Sequence, residues 1–192
     1  MKRILLLITL VGLLSTYSGA TERKKLNFNA GWRLEVGDFK DASLPDYDDS
    51  RWQPVTLPYA FNGHEAFKRD IVDLTDTVCW YRKTFELTEQ DVQGKVFIEF
   101  EGARQGADVW VNGQKVGFSD NGVMAFGFDL TPYIKKGKNV LAVRCDNSWT
   151  YRDRVLNSRY QWNDKNFNAN YGGLPKNVWL HVTGKLYQTL PL

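Results

Sequence analysis

The sequence contains few cysteines and histidines, the residues typical of zinc sites and of thiol chemistry. Of its 192 residues, two are cysteine and two are histidine. The histidines, His64 and His181, lie far apart, and neither stands at a spacing from a cysteine that is typical of a zinc site. We therefore expect no metal centre and no cofactor.

The two cysteines allow two interpretations. Cys79 precedes one predicted strand and Cys145 ends another. If these strands pair antiparallel, the two residues lie side by side and a disulfide is possible. Sequence alone does not supply the Cα separation that a disulfide needs, so we favour two buried free thiols.

The chain also lacks an excess of charge of one sign. It has 25 basic and 22 acidic residues, and leaving out Lys2 and Arg3 brings the basic residues to 23, a net charge of +1. There is no basic stripe of the kind that follows a nucleic-acid backbone. Nucleic acid is therefore not an expected partner.

One hydrophobic run stands out, at the N-terminus. Lys2 and Arg3 precede the apolar region Ile4–Leu14, and the small residues Ser18–Ala20 follow it, an order typical of a secretory signal peptide. The apolar region is too short to span a bilayer. We expect residues 1–20 to be removed on export to the periplasm or the extracellular space. Residues 21–192 would then form one domain with no membrane attachment.

Aromatic residues are abundant, at 14% of the chain with seven tryptophans. Short segments rich in β-branched and aromatic residues recur between turn signals, without long helical periodicity, which is typical of an all-β sandwich. The predicted strands are 80–87, 96–101, 107–111, 115–118, 125–130, 139–145 and 178–182. Asn112-Gly113 predicts a tight hairpin turn, and Thr88 is expected to cap one helical turn. Residues 44–76 and 148–175 are predicted to be long loops, the second rich in aromatics.

Seven segments in this order resemble the N-terminal sugar-binding domain of family 2 glycoside hydrolases, which include β-galactosidases and β-glucuronidases. The most specific is Trp80–Phe85, WYRKTF, which resembles a recurring strand of that family. The Gly172-Gly173 pair resembles the family's closing motif, and 27–33 resembles its opening strand. The matching segments are 27–33, 52–58, 80–85, 109–113, 129–133, 139–144 and 171–180.

The resemblance implies a jelly-roll β-sandwich of galactose-binding-domain type. It further implies that an immunoglobulin-like domain and a (β/α)₈ barrel follow in the complete enzyme, and that two glutamates on the barrel carry out the hydrolysis. A barrel needs about 250 residues of its own, so we expect no catalytic residue in this chain. The implied partners are a β-galactoside or related glycoside and the downstream catalytic domains.

The resemblance also points to two loops at the rim of the substrate pocket. The first follows Leu57-Pro58 and offers Asn62. The second precedes Gly172-Gly173. Its candidate substrate-binding residues are Asn166, Asn168, Asn170 and Trp162. An amide both donates and accepts hydrogen bonds, as a sugar hydroxyl does. The alternative is that these asparagines form turns and that Trp162 anchors the loop.

Three functions remain open at this stage. The chain is either the N-terminal domain of an exported β-galactosidase-like enzyme, a stand-alone carbohydrate-binding module, or a sandwich without a sugar ligand. The apolar residues at the end of the chain, Leu190–Leu192, favour the first, because they suggest a surface that a neighbouring domain covers. We expect no hydrolysis by this chain alone.

Overall fold

The computed structural model describes residues 23–63, 77–122, 124–148 and 171–187. The regular secondary structure in this part of the chain is almost entirely antiparallel strand. They are β1 Lys24–Asn27, β2 Trp32–Val36, β3 Gln53–Val55, β4 Tyr59–Ala60, β5 Val78–Leu87, β6 Lys95–Phe100, β7 Gly106–Val111, β8 Gln114–Ser119, β9 Phe126–Asp129, β10 Gly137–Asp146, β11 Gly173–Leu174 and β12 Val178–Thr183.

Two sheets face each other as a sandwich. One has six strands in the order β3-β2-β5-β10-β7-β8, and the other has four in the order β1-β12-β6-β9. A two-stranded ribbon of β4 and β11 lies beside them. The expected all-β jelly-roll sandwich is confirmed, and within the described residues no helix is long or apolar enough to cross a membrane.

The core follows from alternation along the strands. In β6, every second side chain is buried, and in β12 nearly every side chain is. Aromatic rings fill the wider gaps by edge-to-face contact, for example Phe28 against Phe85 at a centroid distance of 5.3 Å. Among the described residues, the buried aromatic side chains are Phe28, Trp32, Trp52, Trp80, Tyr81, Phe85 and Phe100. The buried apolar residues of these two strands are Val96, Ile98, Phe100, Val178, Leu180 and Val182.

A second aromatic cluster covers the outer face of the six-stranded sheet. The segment that connects β2 to β3 folds back over this face and places Trp52 beside Trp80, which stacks on Trp110 at 5.2 Å. Arg82, buried on the same face, donates to the carbonyls of Ala42, Leu44 and Tyr47 and pairs with Asp49 at 2.8 Å. One arginine thus holds the connecting segment against the sheet.

The local predictions hold for the turn and the helix. Asn112 and Gly113 have φ values of 51° and 82°, as a primed hairpin turn requires. Helix α1, Glu89–Val92, begins with a capping box in which Thr88 Oγ1 accepts from the Asp91 amide and Asp91 accepts from the Thr88 amide.

Some predicted boundaries were wrong. The segment 44–76 was expected to be a loop, but it contains β3 and β4. Residues 27–33 were compared to one opening strand, but β1 ends at Asn27 and β2 begins at Trp32. The first difference arises because β3 and β4 have only three and two residues, too few to show a recognisable alternation.

The cysteines lie directly opposite each other, as predicted for antiparallel strands, and both are buried and free. The Asn147 amide donates to the Thr77 carbonyl at 3.0 Å, which makes that pair a hydrogen-bonded one. Hydrogen-bonded pairs recur every second residue in an antiparallel ladder, so Cys79 and Cys145 also form such a pair, with their side chains farther apart than at the alternating positions. This register favours free thiols.

Candidate functional site

The first of the two segments that were expected to contact sugar lies at one end of the sandwich, where it meets the Gly172-Gly173 motif that follows the second. At this end β6 and β10 finish, and β5, β7 and β12 begin. We call it the loop end and define it by residues 59–63, 101–106 and 171–174. The opposite end carries the Asn112-Gly113 turn and Gly137.

The segment after Leu57-Pro58 pairs with the segment before β12. In the ribbon, Tyr59 lies opposite Leu174 and Ala60 lies opposite Gly173. The pairing continues past the ribbon, because the Phe61 amide donates to the Gly172 carbonyl at 3.2 Å. The first expected rim segment and the glycine motif that follows the second are therefore one hydrogen-bonded unit.

Asn62 completes this unit. Its side chain is buried, with 6% of the residue exposed. Its Oδ1 atom accepts a hydrogen bond from the Gly172 amide at 2.9 Å. Asn62 is thus a tertiary link between the two segments, a role that neither the sugar-contact nor the turn interpretation had specified.

The glycine pair is required by close packing. A Cβ atom on Gly172 would lie 2.1 Å from the Phe61 ring, and one on Gly173 would lie 2.3 Å from the Tyr81 hydroxyl. Gly173 also has a φ of 93°, which disfavours any other residue. The Tyr81 hydroxyl donates to the Tyr59 carbonyl at 2.6 Å, so the core strand β5 holds the ribbon directly.

The connection from β6 to β7 forms the third part of the loop end. Arg104 and Gly173 exchange two backbone hydrogen bonds, of 2.9 and 3.0 Å. Burial lowers the pKa of the Arg104 guanidinium. Arg104 was not among the predicted site residues, because an arginine between two strands carries no signal of its own in a sequence.

The Glu101 carboxylate, at the start of this connection, already accepts hydrogen bonds from other residues. Glu101 accepts hydrogen bonds from Trp179 Nε1 and Asn177 Nδ2, each at 2.8 Å. The bond from Trp179 is the main cause that lowers the pKa of the carboxyl group, and the amide of Asn177 adds to it. A Cβ atom on Gly102 would lie 3.5 Å from Lys176 Nζ, so a second cation lies over this segment.

The remaining predicted site residues, Asn166, Asn168, Asn170 and Trp162, lie outside the described residues. Their contact with a sugar stays a prediction. For Asn62 the structure gives the position and one hydrogen-bond partner, and its contact with a sugar likewise stays a prediction.

Carboxylates are few in the described segments of the loop end. Glu101 is the one acidic residue within 59–63, 101–106 and 171–174. Retaining glycosidases need two carboxyl groups about 5 Å apart. In the described part of the chain, moreover, no group of three His, Cys, Asp or Glu residues is placed to hold a metal ion.

Comparison with known proteins identifies the family of this chain. The model of the sugar-binding domain of family 2 glycosyl hydrolases matches residues 35–183. This chain belongs to that family. The match runs from the end of β2 to the end of β12 and includes the segments that build the loop end.

Similar proteins agree with this family 2 assignment. A β-glucuronidase of Formosa agariphila is 38% identical over 181 residues, covering 90% of this chain and 18% of the relative. A β-galactosidase of Bacteroides ovatus is 35% identical over 185 residues, covering 92% of this chain and 20% of the relative. The solved structure of a family 2 β-glucuronidase superposes with a TM-score of 0.74 at 34% identity, covering 91% of this chain and 19% of that one. The family 2 domain described here thus spans about a fifth of the length of these relatives.

Proposed function

We propose that this chain is the N-terminal domain of an exported enzyme that hydrolyses O-glycosidic bonds in β-galactosides or related β-glycosides. In this proposal its loop end supplies part of the rim of a substrate pocket, and a downstream catalytic barrel supplies the reacting carboxylates. The chain itself binds and positions the sugar and does not cleave it.

The joining of the first rim segment to the glycine motif that follows the second is the observation that carries the proposal. Residues 59–63 and 171–174 are far apart in sequence, yet the β4–β11 ribbon and hydrogen bonds from the Phe61 and Gly172 amides connect them to each other. The Tyr81 hydroxyl connects them to the core. A rim contact must be rigid, because a misplacement of about 1 Å weakens binding of the transition state. The ribbon, the Asn62 link and the Tyr81 hydroxyl provide this rigidity.

Activity measurements on two polypeptides test whether the catalytic residues lie outside this chain. The chain alone and the product of the complete reading frame would each be given 4-nitrophenyl β-galactoside and β-glucuronide. We expect release of nitrophenol from the complete product and none from the chain alone. Hydrolysis by the chain alone would overturn the proposal, as would a complete reading frame without a catalytic domain. In the second case, sugar binding by the chain would favour a stand-alone carbohydrate-binding module.

Export is a separate part of the proposal and rests on residues 1–20. N-terminal sequencing of the protein recovered from its source should begin near Thr21. Replacing two leucines of the apolar region, Leu5 and Leu6, by aspartate should leave the protein in the cytoplasm with residue 1 or 2 as its N-terminus. Recovery of the unprocessed wild-type chain from the cytoplasm would contradict export.

A further inference from the structure

An aromatic ring lies at the loop end beside the ribbon. Phe61 directly follows β4, and its side chain is only partly buried: it packs against the core and keeps part of its surface exposed. A phenylalanine ring carries no hydrogen-bonding group, so what it offers to a ligand is apolar area and the negative charge density of its face. The ring is therefore a contact of a different kind from the asparagines of the rim.

The Phe61 ring is held in one position. A Cβ atom on Gly172 would lie 2.1, 2.8 and 3.0 Å from the Cε1, Cζ and Cδ1 atoms of the ring, so the ring lies directly against the glycine backbone. The Phe61 amide donates to the Gly172 carbonyl, and the next residue, Asn62, accepts from the Gly172 amide. A group fixed in this way loses little freedom when a ligand binds to it.

The backbone amides around this ring already have acceptors. The Phe61 amide donates to the Gly172 carbonyl at 3.2 Å, and the Gly172 amide donates to Asn62 Oδ1 at 2.9 Å. The Gly173 amide donates to the Arg104 carbonyl at 3.0 Å. A backbone amide has a single hydrogen, so none of these three is left to donate to a sugar hydroxyl. Contact between a sugar and this part of the ribbon therefore has to come from side chains.

We propose that Phe61 stacks on a pyranose unit of the glycoside and contacts the C–H groups on one face of the sugar ring. These C–H groups are weakly positive, which suits the negative face of the aromatic ring, and the contact removes apolar surface of both partners from water. The hydroxyl groups at the edge of the sugar remain free for polar groups of the pocket. The inference rests on the proposed function, since it requires the glycoside to reach the loop end.

NMR contact between ring protons and sugar tests this inference. The chain would be prepared with protonated phenylalanine and glycine in an otherwise deuterated background, and the Phe61 ring would be assigned through its contact with the Gly172 Hα protons. Methyl β-galactoside and galactitol would be added separately. We expect saturation of the Phe61 ring protons to pass to the C–H protons of the galactoside. Galactitol has similar hydroxyl groups but no closed ring, so it should receive little.

One variant and a matched control accompany the measurement. Phe61→Leu keeps an apolar side chain and the backbone amide but removes the aromatic face, and we expect the Kd for methyl β-galactoside to rise about fivefold. Phe97 is also partly buried, but it faces outward from β6 and packs on Tyr187. Phe97→Leu should leave the Kd unchanged. If Phe61→Leu fails to fold, the saturation transfer in the unaltered chain decides the matter.

The outcomes separate this inference from the proposed function. Galactoside-induced shifts at the Gly172 and Gly173 amides without transfer from the Phe61 ring would overturn the inference and leave the proposed function standing. So would equal effects of Phe61→Leu and Phe97→Leu, or galactitol binding as tightly as the galactoside. Absence of any loop-end shift with the galactoside would overturn both.

Discussion

The side-chain oxygen of Asn62 accepts a hydrogen bond from the backbone amide of Gly172, 110 positions away in the chain, at 2.9 Å. This bond joins the segment after Leu57-Pro58 to the segment before β12. The partner is a backbone amide, so the site depends on the Asn62 side chain and on the backbone path that the glycine pair permits. The shape of the loop end is thus set by links between segments distant in sequence.

Removal of the Asn62 amide should cost stability. Asn62→Ala leaves the buried Gly172 amide without this acceptor, and we expect the free energy of unfolding to fall by about 1–3 kcal/mol. Gln114→Ala removes an amide from an exposed position and should change it by less than about 0.5 kcal/mol. Urea denaturation of both variants measures the difference. Equal effects would show that Asn62 is no structural link.

Replacement by alanine should reduce the stability of the fold far more at Gly173 than at Gly137. Both have positive φ, of 93° and 79°, so alanine meets the same backbone strain of about 1 kcal/mol at each. At Gly137 a Cβ atom meets nothing within 4 Å, whereas at Gly173 it overlaps the Tyr81 hydroxyl. We expect a loss of about 1 kcal/mol for Gly137→Ala and about 3 kcal/mol for Gly173→Ala. Similar melting temperatures for the two variants would contradict the packing described here.

Arg82 and Arg33 share the carboxylate of Asp49 but should differ in importance. The Arg82 side chain is 2% exposed and the Arg33 side chain 41%, with distances to Asp49 of 2.8 and 3.6 Å. Arg82→Met should destabilise the fold by about 3–5 kcal/mol, because it removes the donor to several carbonyls of the connecting segment and the shorter ion pair of Asp49. Arg33→Met should cost less than about 1 kcal/mol. Equal losses of unfolding free energy for the two variants in chemical denaturation would contradict this difference.

The two thiols should be unreactive in the folded protein. Burial is the main cause that raises the pKa of Cys79 well above its ordinary value of 9.0, and the neighbouring Cys145 adds to it. The folded state therefore favours the protonated thiol, and this contribution to stability is present at neutral pH and lost as the pH rises past about 9. Ellman's reagent should detect almost no thiol in the native chain and two in urea. A count of zero in urea would show a disulfide instead.

The fold was largely predictable because its long strands carry their own pattern. Alternation along β6 and β7 and the Asn112-Gly113 turn are local signals, and the hairpin follows from them. The edge strands β3 and β4 were missed because their pairing depends on β2 and β11, which the sequence does not place beside them. The role of Arg82 was missed for the same reason, since its partners come from a distant loop.

The candidate site was predictable only in part. The resemblance to family 2 pointed to Asn62 and to the glycine pair, and the structure brings them together. It did not point to Arg104 or to the Phe61 ring, whose interest comes from their contacts with the glycine pair. Contacts between distant segments are properties of the folded chain, so no local sequence pattern carries them.

The central claim is that sugar is bound at the loop end of the sandwich. Chemical-shift mapping of the labelled chain with methyl β-glycosides tests it most directly. We predict saturable shifts at the amides of Phe61, Gly172 and Gly173, with those of Gly113 and Gly137 at the opposite end unchanged. Shifts confined to the opposite end or to the outer sheet face around Trp110 would contradict the claim, and so would the absence of any shift at tens of millimolar sugar.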